Sequence, residues 1–260
     1  MPDAWIEHEH GRLFARIWAP SAHPGGSPIV LFHDSLGCVD LWRTFPAALC
    51  ESTGRTVIAY DRLGFGRSSA RTDKLSLDFI SHEAATCFPA LRRQLRFTRF
   101  IAFGHSVGGG MALHCAAAFS QDCDAVITES AQAFVEDRTV RGLLDAREQF
   151  KEDGAMARLR KYHGEKAGWV LNAWTGTWLD PEFAAWSLDP VLPLVTCPIL
   201  VIHGLDDEYG SSRHAEIIAQ RSSGPARLEI LAGAHHVPHR EREESIVGLV
   251  GSFIAAFASV

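Results

Sequence analysis

The chain has 260 residues, 47% hydrophobic and 22% charged, with a formal net charge of −6 and an isoelectric point near 6.1. That length and balance fit one globular α/β domain with room for an insertion. Basic residues scattered among acids give no electrostatic ground for nucleic acid, no stretch approaches the ~20 apolar residues of a membrane span, and the N-terminus lacks a signal-peptide pattern.

Trp5 to His8 and Leu13 to Trp18 read as two short strands joined at His10-Gly11. Ala19 to Ser27 is a Pro/Gly/Ser loop. Pro28 to His33 is a continuous apolar run of the kind buried on both faces of a parallel sheet. A helix is predicted over Leu41 to Ser52, stopped by Gly54. Thr56 to Tyr60 is the next buried strand, and it runs into the glycine-rich Asp61-Arg62-Leu63-Gly64-Phe65-Gly66-Arg67-Ser68. Leu77 to Leu95 has helical spacing, with a break expected at Pro89. Phe100 to His105 is β-prone and leads through Gly104-His105-Ser106-Val107-Gly108 into an alanine-rich helical run. Asp124 to Glu129 is another strand. From there to about Pro190 the strand rhythm stops, and the chain is helix-prone and charged with interspersed tryptophans. It resumes at Pro198 to His203, followed by a helix from Ser211 to Gln220, a strand from Ala226 to Leu231 and an amphipathic helix from Glu243 to Phe257.

Strands alternating with helices mean right-handed crossovers and a mostly parallel sheet covered on both faces. Ligands bind such sheets outside the carboxyl ends of the strands. Four polar signals fall there: His33-Asp34-Ser35, Ser106, Asp206-Asp207 and His235-His236. The six cysteines, Cys38, Cys50, Cys87, Cys115, Cys123 and Cys197, form no C-x-x-C pair and read as buried free thiols of a reducing compartment. The expected location is cytoplasmic.

Gly-X-Ser-X-Gly has mechanical meaning between a strand and a helix, where the tight turn exposes the serine hydroxyl. A hydroxyl is a weak nucleophile and needs a general base, itself oriented by a third group. Asp207 is the first choice for the orienting acid, with Asp206 and Glu129 as alternatives. His236 is the first choice for the base, with His235 as the fallback and His239 in a packing or loop role. The oxyanion needs two backbone N–H donors, for which Val107, after the nucleophile, and Ser35, after the early strand, are the candidates. His235, His236 and His239 lack the i, i+4 spacing of a zinc helix and have no thiolate pair nearby, so no metal is expected.

Five motifs in this order resemble the α/β-hydrolase superfamily over nearly the whole chain. They are His33-Asp34-Ser35-Leu36-Gly37, the Asp61 to Ser68 loop, Gly104 to Gly108, Gly204-Leu205-Asp206-Asp207 and His236. The resemblance implies a doubly wound, mostly parallel eight-stranded sheet, with a core of residues 1–129 and 190–260 and a helical cap over 130–189. It implies a serine hydrolase without cofactor, cleaving a small-molecule carboxylic ester. A C–C bond hydrolase, a lactonase and a perhydrolase are alternatives of the same fold, and a non-catalytic ligand-binding protein is an alternative of another class. A homodimer stays open as an assembly. His33, Asp34, His105, Trp174 and Trp178 are expected at the substrate pocket, with anchoring of the cap on the core as the alternative role of the two tryptophans. The family most often has glycine where this chain has Asp34, and a carboxylate there opposes an oxyanion unless it points away or is paired.

Overall fold

The computed structural model describes residues 2–21 and 25–257, so residues 22–24 of the loop expected between Ala19 and Ser27 lie outside it. β1 (Asp3–His8) and β2 (Gly11–Trp18) form the expected hairpin. β3 (Ile29–Phe32) is buried along its length, and its alternate residues serve two cores: Val30 and Phe32 face one, Ile29 and Leu31 the other. That two-sided burial explains why the run is apolar without alternation.

A short 3₁₀ turn at Val39–Trp42 precedes α1 (Phe45–Thr53), so the helix begins later than the sequence suggested. Pro46 fits the start, because its missing N–H is one that no helix pairs in its first turn. After β4 (Val57–Tyr60) come α2 (Phe79–Ala85) and α3 (Cys87–Leu95). The break expected at Pro89 falls instead at Thr86, and Pro89 sits in the first turn of α3, where its ring meets no carbonyl of a preceding turn.

β5 (Phe100–His105) leads into α4 (Val107–Ala118), and β6 (Cys123–Glu129) follows. Between β6 and β7 (Ile199–Gly204) the chain forms α5 (Asp137–Gln149), α6 (Asp153–His163) and α7 (Ala167–Trp178), the helical stretch where the strand rhythm stopped. α8 (Arg213–Arg221), β8 (Ala226–Leu231), a short α9 (Pro238–Glu241) and α10 (Glu243–Phe257) complete the described fold.

The strands form one eight-stranded sheet in the order β1-β2-β4-β3-β5-β6-β7-β8. β1, β2 and β4 pair antiparallel, and every other neighbour pair is parallel. Residues of α1 and α10 pack one face, and residues of α2, α3, α4 and α8 pack the other. The carboxyl ends of β3, β5, β6 and β7 therefore lie side by side. All six cysteines are buried and free. Among the described residues no helix is long and apolar enough to cross a membrane.

Candidate active site

Ser106 occupies the corner between β5 and α4 with φ 55° and ψ −125°, a backbone region that a residue with a side chain rarely adopts. Its surroundings hold it there. A Cβ on Gly104 would lie 2.1 Å from the Gly108 carbonyl oxygen, and one on Gly108 would lie 2.1 Å from that of Phe32. The two glycines thus let strand and helix touch, and the contact fixes the corner.

His236 lies 130 residues from Ser106 in sequence, yet its Nε2 is 3.0 Å from Ser106 Oγ. Its Nδ1 is 2.9 Å from both carboxylate oxygens of Asp207. An ionised carboxylate only accepts, so Nδ1 carries the proton and Nε2 is free to accept one from Ser106. Asp207 is fixed in turn, because the N–H groups of Tyr209 and Gly210 donate to its Oδ1 at 2.8 and 3.2 Å. Burial alone would raise the Asp207 carboxyl, but the His236 imidazole beside it and the bonds it accepts hold it below its ordinary range. For His236 burial pushes down, and the Asp207 carboxylate more than offsets that, so the imidazole is more basic than usual.

The expected alternatives sit elsewhere. Asp206 and His235 are exposed, with His235 Nδ1 3.8 Å from Glu208. Glu129 is buried but faces His239, accepting from its backbone N–H at 2.7 Å and from its Nδ1 at 2.5 Å. His105 Nε2 donates to the His236 backbone carbonyl at 2.8 Å. His105, Glu129 and His239 bring potential ligand atoms within 4.8 Å of one another. Those hydrogen bonds employ both Glu129 oxygens and His105 Nε2, while His239 Nε2 is buried without a partner, and the three residues form a buried cluster behind the His236 loop.

A cavity of about 240 Å³ opens beside Ser106, lined by Leu36, Leu143 and Val237 and by the aromatic rings of Trp174, Trp178 and Tyr209. Asp34, Ser35, Gln132, Thr139, Glu208 and His236 complete its wall. Ser35 thus borders the space in front of Ser106, and Val107 opens α4, so its N–H has no helical carbonyl to meet. Asp34, Trp174 and Trp178 line this cavity. His33 and His105 do not: both are 1% exposed and lie behind the wall. His33 receives the Arg62 N–H at Nε2 and donates from Nδ1 to the Asp34 carbonyl, so it shapes the loop from within.

Gln132 and Tyr209 were missed. The Gln132 side-chain oxygen is 3.4 Å from Ser106 Oγ, and the Tyr209 ring lies 4.8 Å from that of His236. Each follows the carboxyl end of a strand, β6 or β7, a position that carried the signal.

The segment between β6 and β7 is tied to this site. Arg138 donates to the Asp207 carbonyl at 3.1 Å and Thr139 to that of Tyr209 at 2.7 Å. His163 accepts from the Gly66 N–H at 2.9 Å and reaches the Leu36 carbonyl at 3.0 Å. Trp174 packs on Tyr209, while Trp178 packs on Phe183 and Trp186.

A family model described as alpha/beta hydrolase fold matches residues 27–144. A serine hydrolase of Mus musculus, BPHL, is 26% identical over 206 residues, which span 76% of this chain and 69% of that protein. Among solved structures, an enol-lactonase from Burkholderia xenovorans superposes with a TM-score of 0.74 at 23% identity, covering 97% of this chain and 100% of its own. A proline iminopeptidase from Mycobacterium smegmatis gives 0.74 at 20% identity, covering 99% of both chains.

Proposed function

The chain belongs to the α/β-hydrolase superfamily, and from that premise we propose that it is a serine hydrolase cleaving a small-molecule carboxylic ester through an acyl-enzyme. One observation carries the reading: Ser106 Oγ, His236 Nε2 and Asp207 are linked in series, at 3.0 and 2.9 Å, at the wall of a mostly apolar cavity.

In this reading Ser106 Oγ attacks the ester carbonyl as His236 Nε2 takes its proton. The Ser35 and Val107 N–H groups receive the oxyanion, and the dipole of α4 favours it. Collapse of the intermediate breaks the bond to the alkoxy oxygen, which leaves with the proton from His236. Water then attacks the acyl-enzyme with His236 again as base, releasing the acid and restoring Ser106. No step calls for a cofactor. The helices between β6 and β7 act as a cap that supplies the acyl wall through Leu143, Trp174 and Trp178.

A purely ligand-binding role does not explain why a buried histidine is oriented by a buried carboxylate toward a serine at the cavity wall. Ser106→Ala is expected to abolish turnover of short-chain aryl esters and labelling by a serine-directed fluorophosphonate. Labelling that persists in the variant would remove Ser106 from the role of nucleophile.

A further inference from the structure

The cavity beside Ser106 carries negative charge for which the ester chemistry has no use. Asp34 and Glu208 both line it, three aromatic rings face it, and no lysine or arginine does. Asp34 is engaged through its backbone carbonyl, which accepts from His33 Nδ1 at 2.8 Å and Arg62 Nη2 at 2.9 Å. Among the described residues its carboxylate receives no hydrogen bond and has no cation within 4.0 Å. Arg240 borders the small recess on the other side of Asp34, beyond that range, with its Nε buried and unpartnered.

The charge balance around Asp34 is incomplete. Burial raises its carboxyl, and His105, Arg240, His33 and His236 together outweigh that and hold it low. Burial also pushes His105 down to about 4 and His33 well below its usual range. Both rings are therefore uncharged at neutral pH; of the other two groups, Arg240 stands beyond salt-bridge range and His236 is paired with Asp207, so Asp34 is short of a close partner of its own. A half-buried carboxylate beside an oxyanion site opposes the charge that forms there.

We propose, resting on the ester-hydrolase reading, that the pocket selects esters bearing a positive charge, such as an ammonium group, received by Asp34 and the faces of Trp174 and Tyr209. The bound cation would pair with Asp34 and so relieve the oxyanion of its opposing neighbour. The substrate would thereby complete the electrostatics of the site, and the preference would appear in kcat as well as in KM. Anionic esters would be disfavoured, since no lysine or arginine lines the cavity to pair with them.

Two matched pairs of probes test this. One is the aryl ester of a trimethylammonio-alkanoic acid against its tert-butyl carbon isostere. The other is a choline ester against the corresponding dimethylbutyl ester. The expected result is a kcat/KM at least about tenfold higher for the cation in one pair, a ratio typical of a desolvated cation held by carboxylate and aromatic faces. Asp34→Asn should lower kcat/KM for the preferred cation and raise kcat for its neutral isostere, and that turnover also reports a folded variant. Equal rates within both pairs in the wild type would overturn the proposal, even if the variant failed to fold. A change by one common factor in Asp34→Asn would overturn it as well. If the wild type cleaves none of the four esters, the ester reading itself fails, and the selectivity with it.

Discussion

His236 is pulled in two directions, and which wins sets the pH at which the site can work. Burial favours its neutral form, the Asp207 carboxylate favours the cation, and the carboxylate prevails, so the imidazole titrates above its ordinary 6.5. Only the neutral ring can accept the Ser106 proton. Activity should therefore fall as pH drops through that raised value, and the acid limb of kcat/KM should lie above pH 6.5. Asp207→Asn removes the charge while leaving burial in place. The limb should then move to lower pH, and kcat should drop by about 10⁴-fold, because an amide no longer enforces the Nδ1–H tautomer. A pH–rate profile of both forms checks each part. A limb that stays put in the variant would mean that another group governs it.

At the scale of elements, the site is an exercise in anchoring loops that come from distant parts of the chain. The loop with His236 is held from below by the buried pair at the end of β6, Glu129 and His239, and by the bond from His105. Burial would raise the Glu129 carboxyl, but His239 beside it keeps it low and ionised. Glu129→Gln keeps the shape and removes the charge. Weakening one buried charge-assisted bond is expected to lower stability by about 2 kcal/mol. It should also reduce kcat about tenfold with KM nearly unchanged, since the base drifts while the pocket wall stays. Thermal melting together with steady-state kinetics separates the two effects, and a lower melting temperature at unchanged kcat would make the pair purely structural. Little of this network was legible beforehand. Strand runs and the Glu243 to Phe257 helix were readable because their pattern is local, and the four strand-end motifs were readable because the topology puts strand ends together. The partnership of Glu129 with His239 spans 110 residues. Glu129 stood at a strand end where a triad acid could also sit, and only side-chain direction separates those roles. His33 and His105 misled for the same reason: a polar residue beside a motif points either into the pocket or behind it, and chain order does not say which. Trp174 and Trp178, four apart on α7, divide two roles, lining the pocket and anchoring the cap. Trp174 meets Tyr209 at the pocket, whereas Trp178 touches the pocket and also anchors against Phe183 and Trp186.

For the whole molecule, the cost of assembling so many polar groups beneath one sheet edge should appear as sensitivity to acid. His33, His105, His163, His203 and His214 are buried and His114 is half-buried, and burial depresses the basicity of each below 6.5, in His105 and His114 down to about 4. In the unfolded chain each titrates near its ordinary value. Below that value the unfolded state binds more protons, so stability declines as pH falls, by about 1.4 kcal/mol per pH unit for each histidine that stays neutral only in the fold. The ionised carboxylates act in the same sense. Asp34, Glu129 and Asp207 are held below their usual range, so the stability they lend is present above the unfolded carboxylate values and is lost as pH falls through the folded ones. His236 acts oppositely, since its raised value favours the fold below pH 6.5, and so do Asp61 and Glu83, whose carboxyls burial raises. Six depressed histidines outweigh one raised histidine and two raised carboxyls, so the melting temperature should decline from about pH 7 to about pH 5, before surface carboxylates begin to titrate. Calorimetric scans across that range test the balance, and a flat profile would show that the buried imidazoles gain protons without unfolding. Since the His236 limb removes activity over the same interval, rate and melting temperature should be measured together. Activity lost at neutral pH while the melting point holds belongs to His236, and activity lost with it belongs to the fold.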